Sequence, residues 1–225
     1  MADRKRDALS ELEPNGLGPE GPRWQQRKSA QTRTAILEAA IDCLSKVGYS
    51  GMTTQLIAEV AQISRGAMLH HYATKLELVG SLIDYVFYKR MEWFIAHISA
   101  LTEKQRVQEF AGLKVYWESL QTRYYTAYLE LSIAARSDAE LNTIFLPRAR
   151  RFDRIWSEET LRVFPEWQNK GKAYDLARNF VIAVMEGMLL NREIWNDPVQ
   201  DKAMFDLSAK VLGKLLSGEL SPKKR

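Results

Sequence analysis

From Ile36 to Leu216 the apolar residues of this chain recur at steps of three and four, and runs of Val and Ile at period two bounded by turn pairs are absent. That pattern builds helices and leaves a sheet nowhere to form. Ile36, Ala40, Cys43 and Val47 make one stripe, widened by Leu37, Ile41 and Leu44, and predict a helix over 29–47 that Gly48 ends in the left-handed conformation. Two short helices follow at 54–61 and 65–71, split by Gln62, Ile63 and Ser64. A fourth starts at Thr74, where Thr74 and Glu77 have capping-box spacing, and its stripe runs through Leu82, Tyr85, Val86, Phe94 and Ile98. Five more are expected near 105–121, 123–136, 138–163, 172–195 and 198–217. Ser137 with Glu140 forms a second capping-box pattern, Pro165 and Gly171 punctuate, and Asp197 before Pro198 reads as a cap with proline in the first turn. Pro147 is expected to kink its helix.

Composition narrows the class. With 225 residues, 46% hydrophobic and 27% charged, the chain can bury a sizeable core, and collagen-like or wholly disordered readings fall away. A single cysteine, Cys43, excludes an internal disulfide and a multi-cysteine metal cluster, and its place in the stripe marks it as buried. No run reaches the roughly 18 apolar residues of a membrane span, and the charged N-terminus lacks the apolar centre of a secretory signal, so a cytoplasmic location is expected. Residues 1–22, with Pro14, Gly16, Gly18, Gly21 and Pro22, read as a flexible tail. The net charge of +4 is unevenly spread: 23–75 hold 7 basic and 3 acidic residues, and 76–225 hold 22 and 20, three of the basic ones being the terminal Lys223, Lys224 and Arg225. An anion-binding module near the start is implied.

The informative stretch is 53–75, TTQLIAEVAQISRGAMLHHYATK. Two short helices joined by a three-residue turn bury little alone and must pack on the helix before them. Ala58 permits close approach, and Ile57, Ile63, Met68 and Tyr72 fill the interior. That leaves Arg65, Gly66, Ala67, His70 and His71 for an exposed side, on a rod of two turns that fits a major groove. Thr53, beside Thr54, and Thr74 cap helices whose first N–H groups attract phosphate, and Lys75 adds charge. Upstream, Arg23, Arg27, Lys28 and Arg33 occur without an acidic residue among them, as an arm that follows phosphates or enters a minor groove.

On these residues the segment 33–78 resembles the DNA-binding domain of the TetR family of transcriptional regulators: Thr53, Ile57, Ala58, Ser64, Gly66, His70, His71 and Lys75 match that family's pattern. Four positions depart from it. Gln62 stands at the turn glycine, where a positive φ strains the backbone; Ile63 replaces Val; Tyr72 replaces Phe. Leu69 replaces a Tyr whose hydroxyl commonly contacts phosphate, and that contact does not carry over.

The resemblance implies an all-α fold, with an N-terminal three-helix helix-turn-helix DNA-binding domain (23–75) joined to a C-terminal helical ligand-binding and dimerisation domain (76–217), and a basic tail at 218–225. It implies a ligand-responsive regulator, most simply a repressor, that binds a palindromic operator in double-stranded DNA as a homodimer and is released by a small effector. Phe94, His97, Tyr116, Trp117, Tyr124, Tyr128, Phe145, Trp156 and Met185 are the candidate ligand-lining residues, suited to a mainly apolar or aromatic molecule or else simply core. Ala183 and Gly187 lie on one face with Met188, and with Phe205, Leu212 and Leu216 they supply a dimer interface or else cover the monomer's own core. Arg148, Arg150, Arg151 and Arg154 either grip an anionic ligand or form a solvated face paired with acids such as Asp153 and Glu158. No phosphate loop, nucleophile elbow or histidine-glutamate zinc helix is present, so neither catalysis, metal nor cofactor is expected. The rival reading is a helical adaptor whose basic module binds an acidic protein.

Overall fold

The structure is a computed structural model and describes residues 8–17, 24–102, 104–105 and 111–220. The described residues are helical apart from turns: α1 (Ala8–Leu12), α2 (Trp24–Gly51), α3 (Thr54–Val60), α4 (Arg65–His71), α5 (Lys75–Ser99), α6 (Ala111–Leu120), α7 (Arg123–Ala135), α8 (Ala139–Val163), α9 (Lys172–Trp195) and α10 (Pro198–Ser217). A 3-10 turn, Pro165–Trp167, separates α8 from α9. None of these helices is long and apolar enough to cross a membrane.

The chain forms two compact units, 1–93 with 122–156, and 94–121 with 157–225. In the first, α2 is the central strut. Ile36, Leu37, Ala40, Ile41 and Leu44 are almost wholly buried, and Ile57 and Ala58 of α3, Met68 of α4 and Leu78, Val79 and Leu82 of α5 join that core. Cys43 is buried as expected, and desolvation raises its thiol pKa. α7 is tied to α2 by Arg123, whose guanidinium meets Glu38 Oε2 at 3.1 Å and Asp42 Oδ1 at 2.8 Å. Around α8 an aromatic group gathers: Phe87 stacks on Phe152 at 4.5 Å, and the buried Arg90 guanidinium lies 4.1 Å from the Tyr128 ring centre and 5.0 Å from that of Phe152.

In the second unit α9 and α10 pack together and α6 packs on α9. Trp117 meets the Phe205 ring edge-on at 5.5 Å, and the Tyr174 hydroxyl donates to Ser157 O at 3.1 Å. Asp197 caps α10 by accepting from Val199 N and Gln200 N.

Several expectations are corrected. Of the expected tail 1–22, the described residues 8–17 are packed: Ala8, Leu12 and Pro14 are buried and the Glu11 carboxylate lies 3.5 Å from Arg154, while its carbonyl accepts from Arg151. α2 begins at Trp24, and Gly48 (φ 66°, ψ 179°) breaks it into a last turn ending at Gly51; Val47, beside that break, is 45% exposed rather than part of the buried stripe. α8 is capped by Asp138, whose Oδ1 accepts from Leu141 N at 2.9 Å, whereas Ser137 turns back to donate to Ala134 O. The helix runs on through Pro147 as one element. Of the expected helix 105–121, residue 105 is helical and α6 runs Ala111–Leu120, while 106–110 lie outside the described residues, as do Arg23 and 221–225.

Candidate nucleic-acid interface

Three hydroxyl residues set the helix-turn-helix. Thr53 Oγ1 accepts from Leu56 N at 3.1 Å, Ser64 Oγ from Ala67 N at 3.1 Å, and Thr74 Oγ1 from Glu77 N at 3.1 Å. Each cap uses an acceptor lone pair and keeps its own O–H as a donor, so capping a helix and contacting a phosphate do not compete. Glu77 completes the third cap by accepting from Ala73 N at 3.0 Å. Thr53 and Ser64 are exposed and Thr54 is half-buried.

Between α3 and α4 the turn closes by Ile63 N donating to Ala58 O at 3.0 Å and Gln62 N to Glu59 O at 3.1 Å. This wrapping needs a left-handed residue at the position after the cap. Gln62 occupies it at φ 55°, so the positive φ expected of the missing glycine is present and a side chain bears it.

On α4, Met68 and Tyr72 face the core, and the Tyr72 hydroxyl is hydrogen-bonded to Ser81. Arg65, Gly66 and His70 are exposed as the sequence suggested, but Ala67 and His71 are half-buried. His71 meets the His70 ring edge-on at 5.4 Å; desolvation foremost, then His70 and Arg33, lowers its pKa, which favours the neutral ring. The residue missed in this reading is Leu69, 49% exposed on the same face.

The basic groups differ in their exposure. Arg27 and Lys28 are exposed near the start of α2. Arg33 is half-buried, and a Cβ placed on Gly16 would lie 2.1 Å from its Nη1, so the N-terminal segment rests on this arginine. Lys75 opens α5 with its Nζ 4.5 Å from the Tyr49 ring centre, a contact that fixes the ammonium without neutralising it.

The other candidates divide between the units. Tyr124, Tyr128, Phe145 and Trp156 belong to the first, and Tyr128, Phe145 and Trp156 join the aromatic group beside Arg90. Phe94, His97, Tyr116, Trp117 and Met185 belong to the second, where Phe94, Tyr116 and Met185 are buried, Trp117 is half-buried and His97 is exposed. Met188 and Leu212 are covered by their own chain, whereas Ala183 is exposed and a Cβ on Gly187 would meet nothing within 4 Å; Phe205 and Leu216 are half-buried. Arg148 Nε reaches both oxygens of Asp84 at 3.1 and 3.2 Å, and Arg151 and Arg154 engage Glu11.

A helix-turn-helix with a capped two-turn second helix defines the class of DNA-reading helical domains. Residues 36–82 match the family model described as bacterial regulatory proteins, tetR family. An uncharacterised HTH-type transcriptional regulator of Mycobacterium bovis is 25% identical over 119 residues, 53% of this chain and 60% of that protein. The chain therefore spans about 60% of the length of that relative. The HTH-type transcriptional regulator TtgR of Pseudomonas putida is 39% identical over 62 residues, 28% of this chain and 30% of that one. A TetR-family member of Streptomyces coelicolor has the same fold, with a TM-score of 0.58 at 18% identity over 80% of this chain and 98% of that one.

Proposed function

We propose that the protein is a ligand-responsive transcriptional regulator that binds a roughly palindromic operator as a homodimer and leaves it when a small effector binds. The observation that carries the reading is the continuous exposed face of α4, with Arg65, Gly66 and His70, set among hydroxyl caps inside the family-matched segment 36–82. In this reading 23–75 form the DNA-binding module. Arg65, Gly66, Ala67, His70 and His71 face base edges, and Thr53, Thr54, Ser64, Arg27, Lys28, Arg33 and Lys75 hold phosphates.

The module 76–217 carries the effector and the dimer contact. Exposed Leu190, Ile194, Val199 and Leu207 on or beside α9 and α10, with Ala183 and Gly187, support a partner copy there. The candidate ligand-lining aromatics favour an apolar or aromatic effector. Such a ligand acts as a population shift: it favours a spacing of the two α4 helices that departs from one duplex turn, about 34 Å, with α5 as the connector.

Random-oligonucleotide selection with the full chain at low salt tests the DNA reading. A two-fold-related consensus is expected, and enrichment of no sequence would overturn it. Sedimentation equilibrium tests the dimer, and operator affinity with and without a candidate effector tests the release. An effector that binds tightly yet leaves operator affinity unchanged refutes the switch.

A further inference from the structure

At about 100° per residue, Arg65, Leu69, Gly66 and His70 succeed one another round roughly 140° of α4, and Ala67, His71 and Met68 take the remaining arc. All four of the first set are exposed; of the second, Met68 is buried and the other two are half-buried. Leu69 thus stands near the centre of the free face, 49% exposed, with Gly66 beside it offering no side chain to cover it. A branched apolar side chain in that place gains only when an occupant covers it.

The surroundings say what the occupant is. Arg65 lies one turn back on the same face, and Lys75, Arg27 and Lys28 supply further cations within the same compact unit, so the occupant is polyanionic. The surface that combines phosphate charge with an isolated apolar group at readable depth is a major groove containing thymine, whose 5-methyl group projects from the base edge. Resting on the DNA-binding reading above, we infer that Leu69 is a specificity-determining residue that reads a thymine methyl group in each half-site. Arg65 and Leu69 are four residues apart, about 6 Å along the helix axis. That places the thymine within two base steps of the base addressed by Arg65, since bases of one strand are about 3.4 Å apart.

The test uses the full-length protein and the consensus from oligonucleotide selection. Each thymidine of the half-site is replaced in turn by deoxyuridine, which removes only the methyl group, and affinity is measured by fluorescence anisotropy for wild type and Leu69→Ala. At one thymidine the replacement lowers wild-type affinity about four-fold per half-site, or about fifteen-fold when made in both. Leu69→Ala binds the thymidine operator correspondingly less tightly and does not distinguish the two bases there; because Leu69 is exposed, the variant keeps the wild-type urea midpoint. A half-site without thymine, or a deoxyuridine penalty equal in both proteins at every position, overturns the role of Leu69 and leaves the DNA-binding reading standing. Selection that enriches nothing removes both.

Discussion

Replacing Gln62 with glycine should make the protein more stable, although it deletes a side chain and adds no contact. Gln62 holds φ at 55° because Ile63 N and Gln62 N must reach back to Ala58 O and Glu59 O to finish α3. For a residue with a Cβ the left-handed region costs about 1–2 kcal/mol. Glycine removes that cost but gives the unfolded chain more freedom, which takes back about 0.4–1 kcal/mol. The difference is a gain of about 0.5–1 kcal/mol, and the Gln62 side chain, being exposed, subtracts little. With a urea slope near 2 kcal/mol/M the midpoint should rise by about 0.3–0.5 M at unchanged slope. Gln62→Val supplies the opposite arm, because a β-branched residue is a severe outlier at this φ, and its midpoint should fall below wild type. A glycine variant no more stable than wild type, or a valine variant equal to it, would refute the claim that this turn is strained.

Lys75→Ala should weaken binding to all DNA sequences alike and flatten the salt dependence by about one phosphate contact, a slope change near 0.9; altered sequence preference at unaltered affinity would remove Lys75 from the backbone contacts. Tyr85→Phe deletes the hydrogen bond from the Tyr85 hydroxyl to Glu38 Oε1 at 2.5 Å, and since Arg123 still holds Glu38, the urea-derived loss should stay near 1–2 kcal/mol. His71 has its pKa lowered from 6.5, so the unfolded state takes up its proton first. The stability its neutral form contributes is whole above about pH 6.5 and declines as pH falls through the folded pKa. Urea midpoints from pH 8 to 5 should therefore drop more steeply for wild type than for His71→Gln, and parallel profiles would exclude this residue.

The helices were legible because each needs only local information. Thr53, Ser64, Thr74 and Asp197 all cap the helices that follow them. The misreadings came where a local pattern had two solutions or none. Ser137 and Asp138 are both good caps, and the choice fell to Asp138 because Ser137 is still bonded to the last turn of α7 through Ala134 O. The segment around α1 has no periodicity to read. It is held by three buried apolar residues and by Glu11, whose partners Arg151 and Arg154 lie 140 and 143 residues away. The same holds for Arg123, whose distance from Glu38 is 85 residues in sequence and 2.8 Å in space.

The interface was half legible for a related reason. Polar residues on a short helix are assigned to the solvent side by default, which places Arg65 and His70 correctly, but the same default hides an apolar residue that is also outside. Leu69 lies one position from buried Met68, and nothing in the order of residues says which of the two the core accepts. The decision is made by tertiary packing, which buries Met68 and leaves Leu69 49% exposed. An exposed leucine therefore marks a place where folding left apolar surface uncovered. On the face that also bears Arg65, the inferred role gives that surface its burial only when a groove arrives, and part of the binding free energy would then depend on which bases carry methyl groups. The phosphate contacts proposed for Lys75 and the hydroxyl caps lack that dependence, and the two kinds of contact separate experimentally into salt slope and base preference.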